Sequence, residues 1–334
     1  MLLIDSLYIN SSGGLRLLEY LVARLNEKNV SFFLLADKRC VGLFDNCRHV
    51  KYIKASLWRR KYFYLTNASV FSSVLCFGNI PAPIKLRVPV YTYFHNINLL
   101  TLSEAHSLKE KVVMWLKREV YRYYRRNTDC WLVQTSNTAT ELSNHLNEPL
   151  GRIEMMPFYE LPSELGSLSG AVHGDDYVFV AIYVPGKGHD ELLKAWRLLK
   201  DKGFDKTLHL TVQNDHPFVE KIREAQHEGV NVVNHGVIPF EQVISLYKQS
   251  KAIIYPSHNE SLGLGVVEAL TAGCDVLGSD LPFLHSICVP SEVFTPYSYE
   301  SIAEAVMRYE KGQSQKSKLL IHNQLNQLVE LICN

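Results

Sequence analysis

The chain has 334 residues, of which 47% are hydrophobic and 21% charged, and its formal net charge is +1. This length favours two domains, and this composition is that of a globular protein with enough apolar residues for two cores. A membrane-spanning chain is excluded, because no apolar run in the sequence is as long as a bilayer span. No signal peptide is expected either, since Asp5 interrupts the first apolar run.

The seven cysteines are scattered along the chain and contain no Cys-x-x-Cys pair. This pattern indicates free, buried thiols in a reducing compartment, so the protein is expected in the cytoplasm. The cysteines are Cys40, Cys47, Cys76, Cys130, Cys274, Cys288 and Cys333.

The first half of the chain alternates short, β-rich apolar runs with helix-like stretches, which predicts a mainly parallel sheet covered by helices. These runs begin near residues 2, 30, 51, 70, 88, 129 and 152. Residues 161–176 are rich in Pro, Ser, Gly and acids, which predicts an interdomain linker. A second α/β sheet follows, with runs at 177–183, 208–213, 230–234, 251–256 and 275–278 and then two helices at about 299–311 and 314–332.

In open α/β sheets, ligands bind at the carboxyl ends of the strands. Gly13 and Gly14 follow the first strand and open a helix near Leu15. They form either a backbone amide cradle for a phosphate or a tight strand-to-helix turn. His95 follows the strand at 88–94 and is either a hydrogen-bond donor or proton-transfer group for a substrate, or a structural histidine.

Lys187 lies between two glycines in the sequence Val-Pro-Gly-Lys-Gly-His. The flanking glycines leave its ammonium group free to reach a phosphate, although a lysine in such a loop is also often simply solvated. The segment is not a P-loop, because no Gly-x-x-x-x-Gly-Lys-Ser/Thr is present.

Residues 251–280 read as a strand, a loop, a helix and a second strand, with Glu260 in the loop and Glu268 in the helix. Gly263 and Gly265 allow a ligand to approach the backbone, and the amides that begin the helix favour an anion. The two acids are too far apart to share a proton easily, so they are predicted to bind two parts of one polar ligand. A dinucleotide fingerprint is disfavoured, because Glu268 replaces its third glycine.

Other site types are not supported by the sequence. The histidines and cysteines show no metal-ligand spacing, and there is neither an Asp-x-Asp pair for a nucleotide-bound cation nor a Gly-x-Ser-x-Gly elbow. No metal site and no cofactor are therefore expected.

Positive charge is concentrated in the first half of the chain. Residues 1–165 hold 21 Lys and Arg against 14 Asp and Glu, whereas residues 166–334 hold 14 against 20. In the stretch 109–126, Lys111, Arg118, Arg122 and Arg125 form one stripe at helical spacing. Together with the basic and aromatic stretch 51–62, this helix lies either against anionic lipid headgroups or, as an ordinary packed helix, against the core with its charges solvated. No nucleic-acid recognition motif accompanies these charges.

A second stripe of the same helix, Val113, Leu116, Val120 and Tyr123, lies on roughly the opposite side from the basic one. If the helix packs on the core, this apolar stripe is expected to be its buried face.

Residues 256–282 resemble the Glu-x7-Glu signature of the family 4 (group 1) glycosyltransferases. The similarity runs from Pro256 through Glu260, Gly263 and Glu268 to Pro282. Weaker similarity covers most of the chain in the order that the family shows. The resemblance implies the GT-B fold, with two Rossmann-like doubly wound parallel-sheet domains that face each other across a cleft. It also implies metal-independent transfer from a nucleotide-diphosphate sugar with retention of configuration.

The resemblance further implies an acceptor-side domain at 1–165, a nucleotide-sugar donor domain at 172–312 and a last helix at 313–334 that returns to the first domain. Glu260 would contact hydroxyls of the donor sugar, Glu268 the ribose and His95 the transferred sugar, while Lys187 would neutralise the leaving diphosphate. Backbone contacts are implied for Ser261, Leu262 and Gly263 with the diphosphate, for Gly13 and Gly14 with a phosphate, and for 213–215, Gly236, Val237 and Ile238 near the base.

The chain departs from the family pattern at three places. Ala181, Ile182 and Tyr183 stand where the family usually has Gly-Arg-Leu, so the usual arginine partner of the diphosphate is missing. The acid expected after Leu-Pro is replaced in the stretch 283–286, and a glycine-rich turn is replaced at 213–215. Either another arginine such as Arg16 compensates for the first loss, or the enzyme is slow or inactive.

The sequence therefore predicts a retaining hexosyltransferase that uses a nucleotide-diphosphate sugar and a saccharide acceptor. A lipid-linked acceptor is expected, in the synthesis of a surface polysaccharide such as O-antigen, capsule or lipopolysaccharide, with peripheral contact at the inner face of the cell membrane and no nucleic-acid partner. The alternatives are a non-catalytic GT-B protein that binds a nucleotide sugar or a partner, and a nucleotide-sugar epimerase.

Overall fold

The computed structural model describes residues 1–10, 12–100, 108–161 and 174–333, which form two compact units. The first unit comprises Met1–Glu160 and His322–Asn334, and the second comprises Leu161–Ile321. Each unit is built on a parallel β-sheet covered by helices, which confirms the predicted α/β class. Of the predicted linker, residues 162–173 lie outside the described part of the chain.

The first unit has a seven-stranded sheet in the order β3-β2-β1-β4-β5-β6-β7, and all of its neighbouring strands are parallel. The strand order reverses at β1, and the carboxyl end of a strand at such a point is where open α/β sheets bind ligands. The strands are β1 (Leu2–Asp5), β2 (Phe32–Asp37), β3 (Val50–Ile53), β4 (Ser73–Cys76), β5 (Val90–Phe94), β6 (Cys130–Val133) and β7 (Ile153–Met155).

The helices of the first unit are α1 (Ser12–Glu27), α2 (Leu57–Asn67), α3 (Leu108–Tyr124), α4 (Ser136–Leu146) and the last helix of the chain, α11 (Leu325–Cys333). Helix α1 buries Leu18, Leu21 and Leu25 at helical spacing against the sheet. Leu328 and Ile332 of α11 join the same core. The last helix thus returns to the first unit, as the fold prediction required.

The predicted start of this last helix, near residue 314, is wrong, because the segment before it is tied to the second unit. The Asp275 carboxylate accepts a hydrogen bond from the Ser317 amide at 2.9 Å and pairs with the Lys316 ammonium at 2.9 Å. The next two residues form the short strand β15 (Lys318–Leu319), antiparallel to β13 (Cys288–Val289). The helix begins only at Leu325, where the Asn323 side chain accepts the Leu325 amide hydrogen.

The second unit has a six-stranded parallel sheet in the order β10-β9-β8-β11-β12-β14, which places the carboxyl ends of these strands at one edge. The strands are β8 (Asp176–Phe179), β9 (Leu208–Leu210), β10 (Val232–Asn234), β11 (Ser250–Tyr255), β12 (Asp275–Ser279) and β14 (Glu292–Phe294). The helices are α5 (His189–Asp201), α6 (Phe218–His227), α7 (Phe240–Gln249), α8 (Leu264–Ala272), α9 (Pro282–Ile287) and α10 (Tyr299–Glu310).

Candidate functional site

Two loops of the second unit, one after β8 and one after β11, pack directly against each other. Gly188 has a left-handed backbone with φ of +75°, and a Cβ atom there would lie 2.5 Å from the Pro256 carbonyl oxygen. The His258 amide donates a hydrogen bond to the Gly186 carbonyl at 2.8 Å. Only glycine permits both this conformation and this close approach. The packing places Lys187, between these glycines, beside the loop that carries Glu260.

Lys187 and Glu260 form a salt bridge, although 72 residues separate them in the sequence. The Glu260 carboxylate is also hydrogen-bonded to the buried Tyr255 hydroxyl. Burial, together with the charge of Glu260, raises the pKa of Tyr255 well above its usual value, so this phenol stays protonated. A partly exposed cation and a fixed carboxylate therefore meet at the carboxyl end of β11.

Helix α8 begins directly after this pair. Gly263 caps its N-terminus with φ of +62°, and a Cβ atom there would lie 2.8 Å from the Ile287 Cδ1 atom. The amides at the start of a helix favour an anionic group. Ser261 and Leu262 lead into this turn, and Glu268 lies one turn inside the helix, buried and in contact with the Tyr247 hydroxyl at 3.4 Å. Glu260 and Glu268 are thus held by two different tyrosines.

Gly236, Val237 and Ile238 follow β10 at the same edge of the sheet. Gly236 has φ of +72° and faces Asn214, since a Cβ atom there would lie 2.6 Å from the Asn214 Nδ2 atom. The Asn234 side chain joins the two loops, because it accepts the Val212 amide hydrogen at 2.9 Å and donates to the Val212 carbonyl at 3.0 Å. Val237 is 69% exposed. These loops form an open shelf beside the carboxyl ends of β9 and β10.

Tyr183 directly follows Ile182, which stands where the resemblance implies an arginine. Its ring stacks on His216 with a centroid distance of 4.2 Å, and its hydroxyl donates to the Asp190 carboxylate at 2.6 Å. Its amide donates to the Gln213 side chain at 2.7 Å. Burial and the bond to Asp190 raise the pKa of Tyr183 to about 12, so it is neutral. Lys187 is the only Lys or Arg in 180–190 and 256–268.

Sequence reasoning missed this stacked pair. The departure from the family pattern at 181–183 was its only signal, because nothing in the spacing of Tyr183 and His216 predicts that their rings meet.

In the first unit, the structure brings Gly14 and His95 together. Helix α1 begins at Ser12, so Gly13 and Gly14 lie in its first turn, slightly earlier than the predicted start at Leu15. A Cβ atom on Gly14 would lie 3.1 Å from the His95 Nε2 atom, whereas one on Gly13 would meet open space. Gly14 lies beyond the carboxyl end of β1, and His95 lies directly after the carboxyl end of β5.

The His95 ring is neutral at physiological pH, because burial lowers the pKa of His95 to about 4. The main-chain amide of His95 donates a hydrogen bond to the Asn79 side chain at 2.8 Å, which fixes the backbone at the end of β5. Among the described residues, the Nδ1 atom of this ring has no hydrogen-bond partner. A histidine that serves only the core would satisfy this atom, so the ring remains a candidate ligand contact.

Helix α3 is oriented differently from the sequence prediction. Leu116 and Tyr123, expected on the buried face, are exposed, and Tyr121 is buried instead. The guanidinium groups of Arg118 and Arg125 donate to main-chain carbonyls of the same unit. The basic stripe is thus partly used in internal hydrogen bonds. The side chains of Lys111 and Val113 lie outside the described part of the structure.

The described residues hold neither a metal site nor a membrane-spanning helix. No group of three or more His, Cys, Asp or Glu side chains is arranged to hold a metal ion. In the same residues, no helix combines the length and apolarity needed to cross a bilayer.

Gly188 allows a direct test of the contact between the two loops. The substitution Gly188→Ala should destabilise the second unit by about 2–3 kcal/mol, because it combines left-handed strain with a backbone clash. Gly186→Ala is the matched control, since Gly186 also has a positive φ of +86° but its Cβ atom would meet nothing within 4 Å. Calorimetric unfolding of both variants measures the difference. Equal losses of stability would show that the contact with Pro256 is unimportant.

Comparison with known proteins gives a consistent picture. Residues 173–325 match the family model of the glycosyl transferases group 1. No curated protein matches the chain in sequence. Among solved structures, the sucrose-phosphate synthase of Thermosynechococcus elongatus is similar, with 15% identity, a TM-score of 0.68 and coverage of 93% of this chain and 89% of that one.

Two further structures are similar over nearly their whole length. The lipopolysaccharide outer core galactosyltransferase WaaB has 13% identity and a TM-score of 0.65, with 99% of this chain and 93% of that one covered. Anabaena Alr3699/HepE, solved in complex with UDP and glucose, has 14% identity and a TM-score of 0.62, with coverage of 93% and 90%. These likenesses confirm the predicted GT-B fold.

Proposed function

We propose that this chain, whose residues 173–325 match the family model of the glycosyl transferases group 1, transfers a hexose from a nucleotide-diphosphate sugar to a saccharide acceptor with retention of configuration. The observation that carries this proposal is the pairing of Lys187 with Glu260 beside the N-terminus of α8. That arrangement places a cation, oriented helix amides and a fixed carboxylate side by side on two adjacent loops, which suits a ligand that is anionic at one end and rich in hydroxyls at the other.

The opposite charges of Lys187 and Glu260 suit two successive roles, before and after the donor binds. Without a donor, the Lys187 ammonium is neutralised by Glu260. With a donor, the ammonium turns to the diphosphate and stabilises the negative charge that grows as the glycosidic bond breaks. The Glu260 carboxylate then accepts hydrogen bonds from the sugar hydroxyls. Lys187 thereby acts on the transition state more strongly than on the bound donor.

The remaining residues keep the roles that the resemblance implies. Glu268 binds the ribose, and the amides around Ser261, Leu262 and Gly263 bind the diphosphate. The shelf of Gly236, Val237 and Ile238 lies near the base. For the first unit, the roles are donor contacts by Gly13, Gly14 and His95. No metal ion enters this scheme, because Lys187 and the helix amides supply the positive charge.

A rival function is supported by one observation. Because Ile182 stands at the position of the usual arginine, Lys187 is the only cation in 180–190 and 256–268, which is compatible with a protein that binds a nucleotide sugar without transferring it. We favour catalysis because Lys187, the group that acts on the leaving diphosphate, is retained and correctly paired. An epimerase of similar architecture would convert the donor without any acceptor, so product analysis separates all three.

The acceptor that we propose is a lipid-linked saccharide in surface polysaccharide synthesis. The likeness to a lipopolysaccharide outer core galactosyltransferase supports this choice. An apolar stripe on α3, formed by Val112, Trp115, Leu116 and Tyr123, supports it independently, because each of these side chains is more than half exposed. Trp, Tyr and Leu on one face of a helix suit the interface of a bilayer. We therefore propose that this surface makes peripheral contact with the inner face of the cell membrane.

Vesicle flotation tests the membrane contact. The double substitution Trp115→Ser with Leu116→Ser should weaken binding to vesicles containing anionic lipid by about tenfold or more, because two apolar side chains no longer enter the interface. Leu150→Ser is the matched control, since Leu150 is an exposed leucine of the same unit outside this stripe. Equal flotation of all three proteins, or flotation of none, would remove the membrane from the proposal.

The donor is tested by thermal shift against UDP-, GDP-, ADP- and TDP-sugars. A donor that binds only the folded protein stabilises it by about 2.7 kcal/mol at a hundredfold excess over its Kd. We expect one base to raise the Tm clearly more than the other three. If no nucleotide sugar changes the Tm, the chain does not bind such donors and the proposal fails.

A further inference from the structure

A basic and aromatic pocket lies in the first unit between β3 and α2. Its volume is about 540 Å³, within the range of roughly 300–1,000 Å³ that is usual for small-molecule sites. Lys38, Lys51, Lys54 and Arg59 line it together with Trp58 and Tyr62. None of its lining residues is acidic.

The carboxylates nearest in sequence to this pocket are engaged elsewhere. Asp37 forms a salt bridge with Arg39 at 2.7 Å, and Asp45 accepts a hydrogen bond from the Tyr52 hydroxyl at 2.9 Å. Asp5 is paired with the buried Arg60 at 2.6 Å. Four cationic side chains thus share one concave surface without a neutralising carboxylate in its lining. Mutual repulsion of these cations disfavours the empty pocket and favours an anionic occupant.

The aromatic side chains indicate what else the occupant contains. Trp58 is 81% exposed and Tyr62 is 70% exposed, and they lie four residues apart on one face of α2. Two exposed rings side by side form an apolar patch of the kind that marks a ligand-binding surface. The C–H faces of a sugar ring are apolar and can pack on an aromatic ring, while the polar edges of both remain available for hydrogen bonds.

Helix α2 is fixed firmly enough to hold such a surface in place. The buried Arg60 guanidinium pairs with Asp5 and also donates to the carbonyls of Ile80 and Pro81, both at 2.8 Å. The Tyr64 hydroxyl donates to Asp5 at 2.7 Å. Arg60 therefore ties the helix to the end of β1, and its neighbours Trp58 and Arg59 are held on the opposite, exposed side.

The position of the pocket in the sheet connects it with the ligand-binding edge of this unit. Lys38 directly follows β2 and Lys54 directly follows β3. Gly14 and His95 follow β1 and β5 of the same parallel sheet, so all four residues lie at its carboxyl edge.

We propose that this pocket binds an acidic saccharide, with sugar rings on Trp58 and Tyr62 and a carboxylate or phosphate group among Lys38, Lys51, Lys54 and Arg59. The use of this pocket as the acceptor site rests on the proposed function. In that case, the pocket defines the acceptor as a saccharide that carries negative charge. Binding itself is independent of that function. A concave pocket of this size encloses a sugar chain better than it fits the flat surface of a bilayer.

Titration calorimetry on the full chain at low salt tests the pocket. The probes are tetragalacturonate, the neutral maltotetraose of equal length, inorganic pyrophosphate and vesicles containing anionic lipid. We expect tetragalacturonate to bind well and maltotetraose at least about tenfold more weakly. Lys54→Ala with Arg59→Ala should weaken tetragalacturonate binding by about tenfold or more, and Trp58→Ala by about fivefold. Lys28→Ala, a loss of charge at an exposed position in the same unit, should leave binding unchanged.

Each other outcome contradicts the proposal. Equal binding of maltotetraose would remove the role of charge, and equal binding by the Lys54 and Arg59 variant would place the site elsewhere. Binding of pyrophosphate but not of tetragalacturonate would remove the saccharide, and binding of vesicles alone would assign the surface to the membrane. The thermal shift with nucleotide sugars separates this test from the proposed function, because the pocket variants should keep the wild-type shift.

Discussion

Replacing Glu260 with glutamine should reduce sugar transfer by about a thousandfold or more, while the second unit stays folded. The carboxylate has two partners, the Lys187 ammonium and the Tyr255 hydroxyl. Glutamine retains an oxygen that can accept the hydrogen bond from Tyr255, so the buried phenol is not left unsatisfied. It removes the charge that orients Lys187 and binds the sugar hydroxyls strongly.

Glu260→Ala should be equally inactive but less stable, because Tyr255 loses its acceptor at a cost of about 1–3 kcal/mol. Comparison of the two variants separates the chemical role of Glu260 from its structural one. Glu224→Ala is the matched control, since Glu224 is an exposed acid on α6 of the same unit. Transfer rates and urea unfolding measure both effects. Wild-type transfer by Glu260→Gln would exclude this carboxylate from the reaction.

The second large effect is expected for Lys187→Met. Because no other Lys or Arg lies in 180–190 or 256–268, this substitution removes the only cation of these two segments. We expect kcat to fall by about a hundredfold to a thousandfold and KM to change much less, since the leaving diphosphate gains charge only as the bond breaks. Methionine keeps much of the length of the side chain, so the loop should pack as before.

Lys194→Met provides the control, because Lys194 is an exposed lysine of α5 in the same unit. The double variant with Glu260→Gln should lose less than the sum of the two single losses, because each residue acts through the other. A rise in KM at unchanged kcat would reduce Lys187 to a simple binding group and would contradict its proposed role in the transition state.

The fold could be predicted from the sequence because its evidence is local. Apolar runs alternate with helical stretches, and parallel strands buried on both faces are nearly continuously apolar, as in Leu2, Leu3 and Ile4 of β1. The motif from Glu260 to Glu268 could be predicted for the same reason, because the strand before it, its glycine cap and its helix are close together in the sequence. The contact between Lys187 and Glu260 was not predicted, because it depends on the close approach of the two loops at Gly188 and Pro256.

The features that the sequence did not predict depend on contacts between distant residues. The last helix starts late because Asp275 holds Ser317 from 42 positions away. Helix α3 exposes the apolar residues Leu116 and Tyr123, and its Arg118 donates to the carbonyls of Leu99 and Leu100, contacts that the periodicity of the helix does not reveal. The stacking of Tyr183 on His216 joins two loops that periodicity cannot relate. In each case a polar side chain finds its partner through the tertiary fold.

The most direct test of the central claim is the release of nucleoside diphosphate from the nucleotide sugar that gives the thermal shift, with water or a saccharide as acceptor and with EDTA present. The proposed mechanism predicts steady release by the wild-type protein, no inhibition by EDTA and almost no release by Glu260→Gln. Binding of the donor without any release, or equal release by the wild-type protein and the variant, would contradict it.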